Sequence, residues 1–140
     1  MYWLALSALL WATITDLRKR EIPNGIPLLV LGAAVVAKLS GWHPVTWVEL
    51  LGGLAAGFAC GALLFRLGGF GGGDVKLLGA LGAALGWGAM VPFLLATGIL
   101  GGLFALLAKR RGETEIAYAP VMLAGLLSLI PLIWLGRGQG

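Results

Sequence analysis

LLGALGAALGWGAMVPFLLATGILGGLFALLA, residues 77–108, is a run of 32 residues without a single charge. One helix needs about 20 apolar residues to cross the roughly 30 Å hydrocarbon layer of a bilayer. Thirty-two is long for one crossing and short for two, and the choice sets the topology of the whole chain. The run contains Gly86-Trp87-Gly88 and then Pro92. Gly and Pro mark turns, and Trp favours the membrane interface. The run is therefore predicted to divide there into two short helices.

Four further apolar runs, 1–15, 22–37, 50–65 and 116–136, flank it, and no linker or low-complexity segment separates them. Apolar types make up 59% of the 140 residues and charged types 11%, with a mean hydropathy of +0.96. A soluble domain carries about 25% charged residues. One of this size still leaves about a third of its surface exposed, so a soluble fold could not hide this much apolar area. Disorder, which needs low hydrophobicity and high charge, is excluded too. So is nucleic-acid binding, which needs a large basic polar face. The 24 glycines lack a collagen period and suit close helix packing in lipid. The reading is an all-α integral membrane protein, one polytopic domain over residues 1–140.

Charge fixes the number of spans. With six spans and an outside N-terminus, the inside loops hold Arg18, Lys19, Arg20, Arg66, Lys76, Lys109, Arg110 and Arg111, against Lys38 and Arg137 outside, eight to two. With five spans the 109–111 cluster moves out and Arg137 moves in, giving six to four. Cytoplasmic loops are rich in Lys and Arg, so six short helices with both termini outside are expected. The first run has no basic segment before it and no small-residue cleavage site before Asp16, so it reads as a membrane anchor rather than a signal peptide. The cationic loops serve topology and contact with anionic membrane lipid.

The chain has six carboxylates. Glu21, Glu113 and Glu115 sit in charged inside segments and read as solvated, and Glu49 sits near the outer interface. Asp16 closes the first apolar run and Asp74 opens the fourth helix, and the six-span topology brings both to the cytoplasmic face. Ionisable groups at membrane depth are costly and mark function. Taken singly, Asp16 is a helix-end charge and Asp74 an N-cap; their coincidence on one face points to chemistry. Two neighbouring carboxylates resist ionising together, so one keeps a proton while the other acts as base. Such a pair activates water against a peptide carbonyl and protonates the leaving nitrogen. No cofactor is called for. The single Cys60 and single His43 give neither a disulfide nor a zinc framework; they read as a helix packing residue and a loop residue beside Pro44.

Gly68, Gly69, Gly71, Gly72 and Gly73 surround Phe70 ahead of Asp74. Glycines tolerate positive φ and let a second chain approach closely, so Gly71, Gly72 and Gly73 are candidates for contact with a substrate strand. A flexible interhelical loop is the competing reading. A phosphate loop is excluded, because no Gly-Lys-Ser/Thr end follows. Lys76, a further candidate for substrate contact, either steadies Asp74 electrostatically or snorkels to the interface, and snorkelling is the preferred reading. Ile22-Pro23-Asn24-Gly25 reads as a turn starting the second helix, with Asn24 a possible N-cap, and it would fix the distance between Asp16 and the bundle.

Gly71-Gly72-Gly73-Asp74 matches the GxGD signature of intramembrane aspartyl proteases. With Val75-Lys76-Leu77 it resembles the type IV prepilin and preflagellin peptidases. Asp16-Leu17-Arg18 with Ile22-Pro23-Asn24 is similar to their first catalytic segment, and Tyr118-Ala119-Pro120 to the start of their last span. The resemblance covers nearly the whole chain. It implies Asp16 and Asp74 as the catalytic pair, and a pilin-like precursor as partner, cut after its short basic leader at the cytoplasmic membrane face. Larger members carry an extra cytoplasmic domain with Cys pairs and also N-methylate the product; that part has no counterpart here, so N-methyltransferase activity is not expected. The short form is most similar to Flp-type or archaeal preflagellin peptidases. Two other classes fit the composition: a small proton-coupled transporter and a non-catalytic pilus or secretion assembly subunit. A transporter would place its acid mid-helix rather than at helix ends, and an assembly subunit would not need the intact pair.

Overall fold

A computed structural model describes residues 2–19, 21–67, 71–113 and 118–137. These form five helices and, among the described residues, no strand: α1 Tyr2–Lys19, α2 Gly25–Leu39, α3 Trp47–Arg66, α4 Gly72–Arg110 and α5 Tyr118–Arg137. Two of them, α3 and α4, are long and apolar enough to cross a membrane. Helix α3 starts with a capping box: Thr46 Oγ1 accepts from the Glu49 N–H at 3.2 Å, and Glu49 Oε2 accepts from the Thr46 N–H at 2.7 Å. Thr46 and Glu49, the latter expected near the interface, thus satisfy two orphan donors of the helix start reciprocally. Helix α1 ends on Arg18 and Lys19, cations suited to its negative end.

Helix α4 is broken at Gly86, where φ is 75° and ψ 167°. A straight helix would hold residues 74 and 101 about 40 Å apart, at 1.5 Å per residue. Yet both lie near Tyr118: Asp74 is within electrostatic reach of it, and a Cβ on Gly101 would lie 3.9 Å from its ring. Helix α4 therefore folds back into two arms, 72–85 (α4a) and 87–110 (α4b). The break falls in the predicted Gly86-Trp87-Gly88 stretch. Pro92, expected to share the turn, instead lies inside α4b. Freed backbone groups at such a proline are satisfied locally in membrane helices.

Arm α4a is the central element. Every residue from 74 to 86 is buried except Lys76, as expected of a helix surrounded on all sides. It runs antiparallel to α3, with Gly53 against Gly82, Gly57 against Leu78 and Gly61 against Val75. Arm α4b runs antiparallel to α5, with Thr97 against Gly125 and Gly101 against Val121. Apolar side chains of α1 and α5, among them Leu9, Met122 and Leu126, complete the core around Leu77, Leu81 and Phe93.

Glycines set the α3–α4a distance. A Cβ on Gly82 would collide with the Gly53 carbonyl oxygen and stand 2.6 Å from its carbon. Backbone cannot rotate away as a side chain can, so overpacking here costs at least the usual 1–3 kcal/mol or so. Gly82→Ala is expected to lower the thermal midpoint of the detergent-solubilised protein. Gly98→Ala, with nothing within 4 Å of its Cβ, should leave it unchanged or slightly raised. Equal midpoints for the two variants would refute the close-packing account.

Sorted by these pairings, five of the six tryptophans gather at the Gly86 end: Trp3, Trp42, Trp47, Trp87 and Trp134, all exposed. Arg18, Lys19, Arg66, Lys109, Arg110 and Arg111 gather at the opposite end, where α1, α3 and α4b finish. His43, read from sequence as a plain loop residue, is only 4% exposed. Its ring nitrogens face the carbonyls of Ala83 and Ala84 at the end of α4a without closing a well-formed hydrogen bond. Burial holds its imidazole below the usual range.

Candidate active site

Asp16 lies on the buried stripe of α1 with Ala5, Leu9 and Ala12, at helical spacing of four, three and four. The stripe carries the carboxylate inward, 8% exposed. Its Oδ2 accepts from the Ala119 N–H at 3.3 Å. That N–H belongs to the first described turn of α5, the end at which a helix presents positive charge. The next residue, Pro120, has no N–H to offer.

Asp74 lies at N3 of α4 rather than at the N-cap expected from sequence. Gly71 is the N-cap, and Asp74 Oδ2 reaches back to accept from its N–H at 3.0 Å, one half of a capping box. The other oxygen, Oδ1, is buried and has no hydrogen-bond partner among the described residues. An unpartnered buried acceptor carries its full desolvation cost, and such atoms recur at catalytic centres. Capping explains one oxygen of Asp74, and among the described residues nothing occupies the other.

The two carboxylates lie near the start of α5. Asp16 accepts from Ala119, and Asp74 is within electrostatic reach of both Tyr118 and Asp16. Tyr118 is half-buried against the core, and no local signal in the sequence marks its position near the two acids.

The glycines divide. Gly71 (φ −84°, ψ 165°) is extended and Gly72 and Gly73 are already helical, so the positive φ expected of this stretch is not used at 71–73; the reach-back of Asp74 draws these residues into the first turn. Gly73 is occupied: a Cβ there would lie 3.0 Å from Ile22 Cβ and 3.1 Å from the Ile22 carbonyl oxygen. Gly72 is exposed with open space beside it, and Gly71 is exposed next to Asp74. Gly68, Gly69 and Phe70 lie outside the described residues.

Lys76 lies two positions past Asp74, about 200° around the helix at 3.6 residues per turn. It faces away from the carboxylates, into a cleft shared with Leu28, Leu31 and Phe58. Its Nζ donates to Asn24 Oδ1 at 3.0 Å. Asn24, predicted as a possible side-chain cap of α2, makes no capping bond; its acceptor is spent on Lys76. Glu21 and Glu113 are exposed as expected, and Glu115 lies outside the described residues. Cys60 sits within α3, partly buried against the core.

The sequence profile of the type IV leader peptidase family matches residues 3–106, a stretch that includes Asp16 and Asp74 and ends within α4. A prepilin leader peptidase/N-methyltransferase of Burkholderia pseudomallei (strain 1026b) is 32% identical over 129 residues, covering 85% of this chain and 42% of that protein. The protein of that name from Aeromonas salmonicida (strain A449) is 32% identical over 145 residues, covering 91% and 50%. The one from Bacillus subtilis (strain 168) is 34% identical over 127 residues, covering 86% and 50%. The chain thus spans half or less of the length of these curated relatives. No solved structure matches it.

Proposed function

The chain belongs to the type IV leader peptidase family, and from that premise we propose that it is an intramembrane aspartyl endopeptidase that removes the basic leader from pilin-like precursors. The observation that carries the mechanism is that Asp16 and Asp74 lie within electrostatic reach of each other beside the start of α5, with one Asp74 oxygen buried and unpartnered among the described residues. One carboxylate is ionised and takes a proton from water as that water attacks the scissile carbonyl. The other is protonated and gives its proton to the leaving nitrogen. The precursor lies extended along Gly71 and Gly72, the open part of the glycine stretch, while Gly73 seats Ile22. The proposal covers leader removal alone and takes Flp-type or archaellin-type precursors as the substrate class. Co-expression with such a precursor tests it: the shortened product should appear with the wild-type chain and not with the Asp variants argued in the Discussion.

The proposed setting is the cytoplasmic membrane, crossed six times, with the pair facing the cytoplasm. The clustering of cations at the Asp end and of tryptophans at the other supports this orientation. In a Cys60→Ala background, single cysteines at 18, 66 and 110 are expected to react with an impermeant maleimide only from the cytoplasmic side. Cysteines at 41 and 42 should react only from outside. External labelling at 110 would remove the sixth span and the shared face of the two acids.

A further inference from the structure

The turn between α1 and α2 is fastened to the start of α4 at two independent points. Ile22 sits directly on Gly73, which has no Cβ to hold it off, and its side chain packs into the core. Two residues on, Asn24 Oδ1 accepts from Lys76 Nζ across 52 positions of sequence. The fastened segments are the near neighbours of the acids: Ile22 and Asn24 follow Asp16, and Gly73 and Lys76 flank Asp74. Asp16 itself is otherwise tied to α5. Lys76 is the one exposed residue between 74 and 86, and its ammonium is directed away from the acids.

Resting on the peptidase reading above, we propose that Lys76 and Asn24 form a brace that sets the separation of the two carboxylates, and that both are positioning residues for cleavage. Neither touches the reacting atoms. The brace holds the end of α1 against the start of α4, so that Asp16 and Asp74 stand where a shared proton and one water can serve both. Misplacing a catalytic group by about 1 Å costs on the order of a hundredfold in rate. An exposed hydrogen bond secures a fraction of that precision, because Ile22 on Gly73 remains when it is lost.

The test is a double-mutant cycle with Lys76→Met and Asn24→Ala, assayed for cleavage in purified form beside wild type and Asp74→Asn. Each single change is expected to lower kcat about tenfold with KM nearly unchanged, short of the hundredfold for a full ångström. The double variant should lose no more than either single one, since both remove the same bond. Lys76→Arg keeps a donor and should recover most of the rate. The two limbs of the pH profile of kcat/KM should move closer together in the singles, because carboxylates held farther apart couple less. A leader-binding or lipid-contacting Lys76 predicts otherwise: Lys76→Met raises KM, and Asn24→Ala is silent. That pattern, or additive losses, overturns the brace.

A second measurement is independent of peptidase activity. Spin labels at positions 18 and 72, in the Cys60→Ala background, report the gap between the helix ends. Lys76→Met should broaden their distance distribution. Broadening in a chain that cleaves no precursor would leave the brace standing and remove the peptidase reading. An unchanged distribution alongside a lowered kcat would overturn the brace and leave the peptidase reading intact.

Discussion

Asp74→Asn is expected to abolish cleavage of a pilin-like precursor while the protein still inserts and accumulates, and Asp16→Asn is expected to do the same. The fold tolerates both changes for a specific reason. In each acid one oxygen accepts a backbone N–H, from Gly71 for Asp74 and from Ala119 for Asp16, and an amide oxygen of the same shape accepts equally well. What an amide cannot do is exchange a proton. One carboxylate must be charged and the other protonated, so either substitution removes the whole device, and the two losses should not add. Asp→Glu at either position should fail largely too, because one methylene shifts the carboxyl by about 1 Å, at a cost on the order of a hundredfold. If Asp74 served only as a cap, Asn would be nearly silent. A purified Asp74→Asn variant that processes precursor near the wild-type rate would therefore end the peptidase assignment.

Gly86→Val should act in the opposite way, removing the protein rather than the chemistry. At φ 75° and ψ 167° the residue occupies a region open essentially to glycine alone, and forcing another residue there costs about 1–3 kcal/mol. Its new Cβ would also stand 2.8 Å from Val45 Cγ1, adding about 1–3 kcal/mol of overpacking. Together these approach the 5–15 kcal/mol or so by which whole proteins are stable. The reversal of α4 brings Tyr118 and the start of α5 to the acids, so a straightened α4 would leave Asp16 without its Ala119 donor. The monodisperse peak of detergent-solubilised protein on size exclusion should fall about tenfold or more on this cost. Gly88→Val, with open space around it, should leave that peak in place. An abundant, active Gly86→Val chain would show that the reversal does not depend on glycine.

The contrast between these variants separates two kinds of information. The amino-acid sequence by itself pointed to the helical, membrane-type architecture, because continuous uncharged runs, rather than alternating ones, satisfy their backbone in lipid as helices. It also located the break in α4, since glycine beside an interfacial tryptophan is a local signal, and it singled out Asp16 and Asp74 through the coincidence of two helix-end carboxylates on one expected face. Properties of one residue and its near neighbours are legible in this way. The tertiary structure alone decided which oxygen of each acid is spent: Ala119 lies 103 positions from Asp16, and Asp74 reaches back to Gly71 only because the helix starts before it. Tertiary contacts also decided that Gly73 holds Ile22, that His43 is buried against the end of α4a, and that Asn24 answers Lys76 rather than capping α2. Each of these joins segments remote in sequence or turns on where a helix begins to within a residue, and no periodicity or motif encodes such a pairing.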